Sequence, residues 1–582
     1  MVHELETPPG TQPTGRKSYR PPIVGRDVAA STGHPLATLA AMRVLDSGGN
    51  AVDAGVAAGM ALGVLQPDIV GFTGVAPIIL YLAKEKKVIS ISGLGRWPKR
   101  TDADYFRRET NGELPLGVLR TVVPASIDAW VTALAKYGTK TFAETAQAAY
   151  DLAARGFPAH ALLCQTISDE PQEFSHWPAN AKVFMPEGRP PMVGEIFRQP
   201  DLARTISRLI GAEKAAGGSR IAGLEAVRHC FYEGEIAQDI LSFYEREGGW
   251  LSAEDMRDFH VGIEDAQTTT FGAYQVYSCG AWCQGPVLLE FLNMLENDDL
   301  RRLGCNSPDY IHLVTEVMKL GFADREAYFG DPDFIDVPLD VLLSKSYAQE
   351  RRGAVSMDRA FPDMPPAGHI ARLSPHGGKT KERRSEDRAR DTTYCCVIDK
   401  DGNGFSATPS DGYSTTPVIP GLGFSASDRG TQSRVEANHP STIGPWRRPR
   451  LTPNPALALK NGKLAMVFGT PGGDVQCQAM LQFFLNVTTF GMDAQQAIET
   501  PRFFTSSFPS SFYPHHSEPG MLRLEHALRH TADALSSRGH RIGIWPSLHW
   551  RAGGVCGITV EEATNYRSAG ADPRRECYAM AW

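Results

Sequence analysis

The sequence predicts an α+β protein in which layers of sheet are covered by layers of helices. Runs with the alternation typical of strands and runs with the helical period occur on both sides of a polar segment at about residues 358–391. One helical run, from Ala51 to Leu65, is almost wholly apolar, which indicates a helix buried between layers. Together these observations favour a layered αββα arrangement.

The part before the polar segment begins with an arm and continues with helices and strands. Residues 1–23 are rich in Pro, Gly and Thr and are expected to be irregular. A helix is expected from His34 to Leu45, with glycines after it as the stop. Asp53, the exception in the apolar helix, is expected to satisfy backbone groups nearby. The other elements predicted in this part are strands at 78–82, 88–91 and 273–279, and helices at 124–136, 142–155, after Ser252 and from Ser307 to Tyr328.

The polar segment 358–391 is too long and too charged to be core. Its basic residues are interrupted by acidic ones, so a solvated linker is favoured over a nuclear signal. The chain after it changes to short strands with turns. The elements predicted there are strands at 392–398, 405–408, 457–459 and 464–468, a helix at 474–488 and a further helix after Asp493.

Composition describes an ordinary soluble globular protein of 582 residues and 63.5 kDa, with 42% hydrophobic and 21% charged residues. A formal net charge of −7 gives no electrostatic footprint for nucleic acid. The ten cysteines form no CxxC pair, and the adjacent Cys395 and Cys396 are interpreted as half-buried strand residues. The N-terminus lacks the apolar core of a secretory signal, and no run is long enough for a transmembrane helix. We therefore expect a cytoplasmic protein with reduced thiols that binds neither nucleic acid nor membrane.

Thr392 stands at the junction between the polar segment and a β-type apolar run. If the peptide bond after Asp391 were broken, Thr392 would carry a hydroxyl and a free α-amine, whose reference pKa is about 7.7–8.0. Such an amine is a suitable base for its own hydroxyl near neutral pH. Taken alone, the triplet Asp-Thr-Thr is more typical of a plain loop-to-strand junction.

Three blocks of sequence resemble the γ-glutamyltranspeptidase family: "DTTYCCVIDKDGNGFSATPS", "FGTPGGDVQCQAM" and "GGNAVDAGVAAGMALGV". The match runs in order from about residue 24 to the C-terminus. Members are N-terminal-nucleophile hydrolases with a four-layer αββα sandwich that cut themselves before a threonine. The resemblance implies a large-subunit region at 24–357, a linker at 358–391 that ends at the cleavage site Asp391–Thr392, and a small-subunit region at 392–582. The two fragments would form a heterodimer or a dimer of such heterodimers.

The resemblance also implies further catalytic residues. Ser410 takes the place of a hydroxyl residue that assists self-cleavage, and serine keeps the hydrogen-bonding group. Gly472 and Gly473 match the glycine pair that forms the oxyanion hole in the family. Glycines allow close approach of backbone N–H groups, and a following helix N-terminus adds positive potential. On local sequence alone, the same pair is typical of a strand–helix turn. Thr452 matches the second of two substrate-binding serines.

Other positions depart from the family. Leu94 stands where an arginine grips the α-carboxylate of a γ-glutamyl group, and leucine cannot form such a clamp. Arg96 is a possible substitute two positions later, and Leu451 replaces the first of the two serines. Arg429 and Gln432 stand where a glutamine and an aspartate read the α-amine. We therefore expect substrate binding by Arg429, Thr452 and Arg96, and an acyl group with a carboxylate or carbonyl instead of an α-ammonium.

A metal site and a cofactor are not predicted. His312 and Glu316 form an i, i+4 pair that could ligate a metal. No third ligand is apparent nearby in the sequence, so a structural hydrogen bond is favoured.

The predicted function is that of a self-processing amidohydrolase or acyltransferase which acts on a small amide through an acyl-enzyme at Thr392. Two alternatives remain open. One is a true glutathione hydrolase and γ-glutamyltransferase in which Arg96 replaces the missing arginine. The other is a non-cleaving pseudoenzyme that binds a small acid or a protein partner.

Overall fold

The computed structural model describes residues 18–373, 392–412, 414–425 and 427–582. Within these ranges the chain forms two seven-stranded antiparallel sheets, packed face to face and covered by helices on both outer faces. This confirms the αββα sandwich predicted from the sequence. The strands, in chain order, are β1 (Ile23–Gly25), β2 (Ala29–Thr32), β3 (Ile78–Leu82), β4 (Lys87–Ile91), β5 (Phe157–Pro158), β6 (Ile196–Phe197), β7 (Ile263–Asp265), β8 (Gln267–Phe271), β9 (Tyr274–Ser278), β10 (Cys395–Ile398), β11 (Gly404–Ala407), β12 (Ala456–Lys460), β13 (Lys463–Gly469), β14 (Phe503–Thr505), β15 (Met521–Glu525), β16 (Arg541–Trp545), β17 (Cys556–Val560), β18 (Arg567–Ala571) and β19 (Tyr578–Ala581).

The α-helices lie mainly in the part of the chain before residue 392. In chain order they are α1 (Pro35–Asp46), α2 (Ala51–Leu65), α3 (Ala103–Glu109), α4 (Ser126–Tyr137), α5 (Phe142–Arg155), α6 (Ala161–Asp169), α7 (Pro171–Phe174), α8 (Pro178–Phe184), α9 (Pro200–Ala216), α10 (Arg220–Tyr232), α11 (Glu235–Arg246), α12 (Ala253–Asp258), α13 (Gly285–Leu295), α14 (Leu300–Leu303), α15 (Pro308–Tyr328), α16 (Leu339–Leu342), α17 (Lys345–Gly353), α18 (Val475–Thr488), α19 (Ala494–Glu499) and α20 (Ala532–Ser537). Within the described ranges, no helix combines the length and the apolar character that crossing a bilayer requires.

Both large sheets combine strands from before and after residue 392. The first has the order β1-β18-β17-β13-β12-β9-β8 and the second the order β19-β2-β10-β11-β3-β4-β7. β10, the strand that follows Thr392, lies between β2 and β11. The C-terminal residue, Trp582, exchanges two backbone hydrogen bonds with Val28 and accepts a third from Asp27. Neither half of the chain therefore forms either of the two large sheets by itself.

The side chains of β10 alternate between two cores. Cys396 faces the other sheet and packs in the same cluster as Val467. Cys395 faces the helical layer, and its Sγ lies 3.8 Å from the carbonyl oxygen of Gly55 in α2. Both cysteines are strand residues, as predicted, but they are fully buried instead of half-buried because both faces of β10 are covered.

Helix α2 lies flat against the second sheet because its contact face is small. A Cβ on Gly55 would lie 2.2 Å from the ring of Phe405, so this close approach requires glycine. Asp53, the predicted exception, accepts hydrogen bonds from the backbone N–H groups of Asn50 and Thr139. Its expected role with nearby backbone groups is confirmed.

The strand after the polar segment begins later than predicted. The sequence predicts its start at Thr392, but β10 begins at Cys395, and Thr392 forms a single bridge to Ser410. The register of β10 against β11 places Pro409 opposite Thr393. Proline has no N–H to donate, so the ladder cannot continue through this pair.

Residues 358–373 contact α15 through part of their length, while residues such as Asp358 and Arg372 are exposed. The backbone N–H of Phe361 donates to the buried carboxylate of Glu316 on that helix. Buried charged groups on the helix thus bind part of this segment's backbone, and the solvated linker stays a prediction. Residues 374–391 of the predicted linker and residues 1–17 of the predicted arm lie outside the described residues.

Candidate active site

The hydroxyl of Thr392 lies against the hydroxyl of Ser410. Thr392 Oγ1 and Ser410 Oγ are 2.9 Å apart, and both side chains are fully buried. On its other side Ser410 exchanges two backbone hydrogen bonds with Val75. The structure thus brings together two hydroxyl residues that were predicted from the sequence to be catalytic.

Arg429 lies beside this pair, at the start of a short 3-10 helix. Its Nη2 donates to Ser410 Oγ at 2.5 Å, and its Nε lies 3.8 Å from Asp411 Oδ1. Asp411 Oδ1 also accepts the backbone N–H of Asp428. Burial and the neighbouring carboxyl of Asp428 raise the pKa of Asp411 well above its usual range. A buried carboxyl with a raised pKa therefore lies beside the arginine.

Gly472 and Gly473 form the turn between β13 and α18. Their φ angles are +120° and +56°, values that favour glycine. The turn leads directly into the N-terminus of α18, where the helix supplies positive potential. Gly469, the last residue of β13, packs against the ring of Tyr394. A Cβ on Gly469 would lie 2.2 Å from that ring, so this close contact requires glycine. This contact brings the strand before the glycine turn close to the segment that follows Thr392.

Gln284 joins the glycine turn to Thr452. Its Nε2 donates to the carbonyl oxygens of Gly473 and Thr452, both at 3.0 Å, and its Oε1 accepts from Arg325 at 2.9 Å. The hydroxyl of Thr452 accepts a hydrogen bond from Gln432 Nε2 at 3.0 Å. A continuous set of hydrogen bonds therefore connects the predicted oxyanion site with a predicted substrate-binding residue.

The two leucines that replace polar family residues are part of the core. Leu94 and Leu451 are buried between the sheets. Arg96, the suggested substitute for the missing arginine, forms ion pairs with Asp331 and Asp333. It would have to leave these carboxylates to bind a substrate, and its role in substrate binding stays a prediction.

His312 and Glu316 do have a third neighbour, contrary to the expectation from sequence. His540 joins them, and the ligand atoms of the three lie within 4.8 Å of one another. The ammonium of Lys319, however, lies 2.7 Å from Glu316 Oε1 and supplies the positive charge there. His312 Nδ1 lies 2.8 Å from His540 Nε2, and burial lowers the pKa of His540 to about 2. The cluster is thus charge-balanced by a lysine, and we interpret it as structural.

Sequence reasoning missed three residues around the candidate site. Asp411 and Asp428 were not singled out, although each directly follows or precedes a residue that was, Ser410 and Arg429 respectively. Gln284 was not predicted as a site residue either. The available signal was the position of two acidic residues next to predicted site residues.

The chain is similar to known enzymes over most of its length. The family model described as gamma-glutamyltranspeptidase matches residues 37–582. The glutathione hydrolase-like YwrD proenzyme of Bacillus subtilis (strain 168) is 29% identical over 96% of this chain and 99% of its own length. The acylase ACY 1 proenzyme of Pseudomonas sp. (strain V22) is 30% identical over 92% of this chain and 90% of its own length. The crystal structure of cephalosporin acylase from Bacillus halodurans is 26% identical, with a TM-score of 0.84 and coverage of 99% of both chains.

Proposed function

Because the chain belongs to the gamma-glutamyltranspeptidase family, we propose that Thr392 is its catalytic nucleophile and that the chain cuts itself before this residue. The resemblance found in the sequence is confirmed, and the protein is an enzyme of the self-processing amidohydrolase or acyltransferase kind. The observation that carries the role of Thr392 is the 2.9 Å contact between its Oγ1 and Ser410 Oγ.

In the proposed self-cleavage, Thr392 Oγ1 attacks the carbonyl carbon of Asp391. A C–O bond forms as the peptide C–N bond breaks, and the nitrogen of Thr392 takes up the proton and becomes an amine. Water then hydrolyses the ester, which leaves a carboxylate on Asp391 and restores the hydroxyl of Thr392. Asp391 lies outside the described residues, and Ser410 is the group proposed to hydrogen-bond the attacking oxygen.

In the processed enzyme, the α-amine of Thr392 takes the proton of its own hydroxyl, which attacks an amide carbonyl. The N–H groups at Gly472 and Gly473 are proposed to stabilise the oxyanion at the start of α18. The amine then protonates the leaving nitrogen, and the acyl group passes from Thr392 to water or to an amine acceptor. No cofactor enters this scheme. Thr452 stays a proposed substrate-binding residue, and substrate binding by Arg429 stays a prediction from the sequence.

The proposed substrate is a small amide whose acyl group lacks the α-ammonium of γ-glutamyl compounds. Gln432 stands where the family has an acidic residue, and a neutral amide does not select a cation. Its Oε1 is buried and accepts no hydrogen bond from the described residues, so it can receive one N–H or O–H of a substrate. Leu94 supports the same proposal. It lies in the core at the position where the family has an arginine, and a leucine side chain cannot clamp an α-carboxylate.

Intact-mass spectrometry of the purified protein tests the proposal. Scaling 63.5 kDa by length, we expect fragments of about 43 and 21 kDa, with Thr392 at the start of the smaller one. Incubation with a panel of small amides should add an acyl mass to the smaller fragment. A single intact mass from protein that turns over amides would defeat the scheme.

Glutathione hydrolase activity is the second candidate, and the similarity to a glutathione hydrolase-like proenzyme favours it. In this case Arg96 would bind the substrate carboxylate. Turnover of γ-glutamyl-p-nitroanilide that is lost in Arg96→Ala, with self-cleavage unchanged, would support it. An uncleaved wild-type chain whose ligand affinity is unchanged in Thr392→Ala would instead support the non-cleaving pseudoenzyme.

The turn at Gly472 gives a direct test of the oxyanion site. In Gly472→Ala a Cβ would lie 3.1 Å from the Val475 Cβ at a φ of +120°. We expect self-cleavage and kcat to fall by about 10²- to 10³-fold, as for the loss of an oxyanion donor. Gly491→Ala is the matched control, because Gly491 also has a positive φ, +69°, but open space around it. Equal activity of the two variants would argue against the proposed site.

The two fragments are proposed to remain together as a heterodimer, which is supported by the presence of strands from both halves in each large sheet. Sedimentation of the processed protein would detect both this unit and any larger assembly. The cytoplasmic location stays a prediction from the sequence, for which cell fractionation is the test.

A further inference from the structure

Ser410 Oγ lies between the side chains of Arg429 and Thr392, and the first of these can only donate. A guanidinium has no acceptor, so Ser410 Oγ must accept the 2.5 Å hydrogen bond from Arg429 Nη2. A charged donor polarises the hydroxyl and makes its own proton a better hydrogen-bond donor. Thr392 Oγ1 lies 2.9 Å away, and either hydroxyl of this pair can be the donor. With Ser410 as the donor, the effect of Arg429 passes on to Thr392 Oγ1.

The guanidinium of Arg429 is fixed by groups that do not belong to a substrate. Asp411 Oδ1 lies 3.8 Å from its Nε, and the ring of Phe512 lies 5.3 Å from its Cζ. Asp428 supports Asp411 through its backbone N–H, and its own carboxylate accepts the hydroxyl of Thr415 at 2.6 Å. The side chain of Arg429 is 1% exposed. The guanidinium is thus enclosed by groups of the protein.

Asp411 is held in a backbone conformation that residues other than glycine rarely adopt, with φ at +145°. Gly71 and Gly74 leave room for it, because a Cβ on Gly74 would lie 2.5 Å from the Asp411 Cβ. Its N–H donates to the carbonyl oxygen of Ile69. Strain of this kind persists where the surroundings determine the conformation, and it is concentrated at functional sites. Gly71 and Gly74 therefore leave the space in which Asp411 holds its carboxyl towards Arg429.

From these contacts we propose that Arg429 is a positioning residue that acts on Thr392 through Ser410, in self-cleavage and in turnover alike. It directs the Ser410 proton to Thr392 Oγ1. This oxygen gains negative charge when it leaves, both when the ester to Asp391 is hydrolysed in self-cleavage and when the acyl-enzyme is released in turnover. The inference rests on the proposed function, in which Thr392 is the nucleophile. It differs from direct binding of a substrate carboxylate by Arg429, the role predicted from the sequence.

A double-mutant cycle on self-cleavage separates the two roles. The rate of the cut is followed by pulse–chase during cell-free synthesis of the full chain, as wild type, Arg429→Met, Ser410→Ala and the double variant. We expect Arg429→Met to slow the cut at least about tenfold, less than the 10²–10³ of a direct oxyanion donor. In the Ser410→Ala background the same substitution should cost less than about twofold, because the relay is already lost.

Turnover supplies a second readout that a purely structural role would not give. Processed Arg429→Met should show a reduced kcat with little change in KM, to the same degree for neutral and for carboxylate-bearing acyl groups. A loss confined to KM and to carboxylate-bearing substrates would overturn the inference in favour of direct binding. Arg434→Met is the matched control, since Arg434 is also a buried arginine but pairs with Glu326.

Arg429→Lys completes the cycle if the methionine variant does not fold, because lysine keeps the charge but loses the planar fork of donors. Its smaller loss should again vanish in the Ser410→Ala background. If the wild-type chain stays uncleaved, the proposed function itself fails. If the wild type is cut and the losses of the two single variants multiply in the double variant, the role of Arg429 alone is refuted.

Discussion

Thr392→Ala is expected to yield one uncut chain of 63.5 kDa without catalytic activity. The variant lacks the oxygen that attacks the peptide bond in self-cleavage and the amide in turnover. Its amine also stays locked in the chain, so both the nucleophile and the base are missing. By comparison with other hydrolases that lose their nucleophile, kcat should fall by about 10⁴- to 10⁶-fold. A denaturing gel and an amide assay measure the two losses separately.

Thr392→Ser is the matched control, because serine keeps the hydroxyl and, after the cut, the amine. It should be cleaved and active at a reduced rate. Production of residues 1–391 and 392–582 as two chains, with alanine at 392, separates turnover from processing. That pair should assemble and remain inactive. Two fragments formed from the single-chain Thr392→Ala protein would show that the Thr392 hydroxyl does not cleave the peptide bond before it.

Glu326→Gln is expected to lower the free energy of unfolding by about 3–5 kcal/mol, the cost of breaking a buried ion pair. Glu326 lies on α15 and pairs with Arg434, with Arg450 at 2.6 Å and with Arg325 at 3.0 Å. Burial alone would raise the pKa of Glu326, but Arg450, Arg434 and Arg325 hold that pKa well below its usual range. A neutral glutamine would leave these buried arginines without their shared counter-charge.

Calorimetric unfolding of the processed protein measures this effect. Because the folded pKa of Glu326 is depressed, its contribution is fully present above the unfolded value near 4.5 and is lost as the pH falls through the lower folded value. Asp309→Asn on the same helix is the control, since Asp309 pairs with Arg538 while 53% exposed. That variant should lose less than about 1 kcal/mol. Similar unfolding midpoints for Glu326→Gln and wild type would contradict the expected role.

Local signals in the amino-acid sequence predict most elements around the site. Ser307 caps α15 and Pro308 begins it, as the sequence predicted, and Gly156 follows the end of α5. Caps, turns and periods act over a few residues, so they are legible in sequence. The resemblance to a family supplied Thr392 and Ser410, whose contact no local pattern would have predicted.

The remaining features depend on contacts between distant parts of the chain. His540 lies 228 residues from His312, and no spacing rule connects them. The position of Asp411 against Arg429 follows from a strained turn between glycines, which sequence does not express. The local patterns also predict none of the helices between residues 157 and 246. These features are set by packing, which overrides local preference.

The carbonyl oxygen of Trp582 accepts hydrogen bonds from the backbone N–H groups of Asp27 and Val28, so residue 582 lies beside the segment that leads into β2. A circularly permuted gene could therefore join Trp582 to the residues before Asp27 and begin translation at the codon for Thr392. Once its initiator methionine is removed, such a protein would emerge with the threonine amine already exposed. Such a protein would need no self-cleavage before Thr392 could act as nucleophile and base.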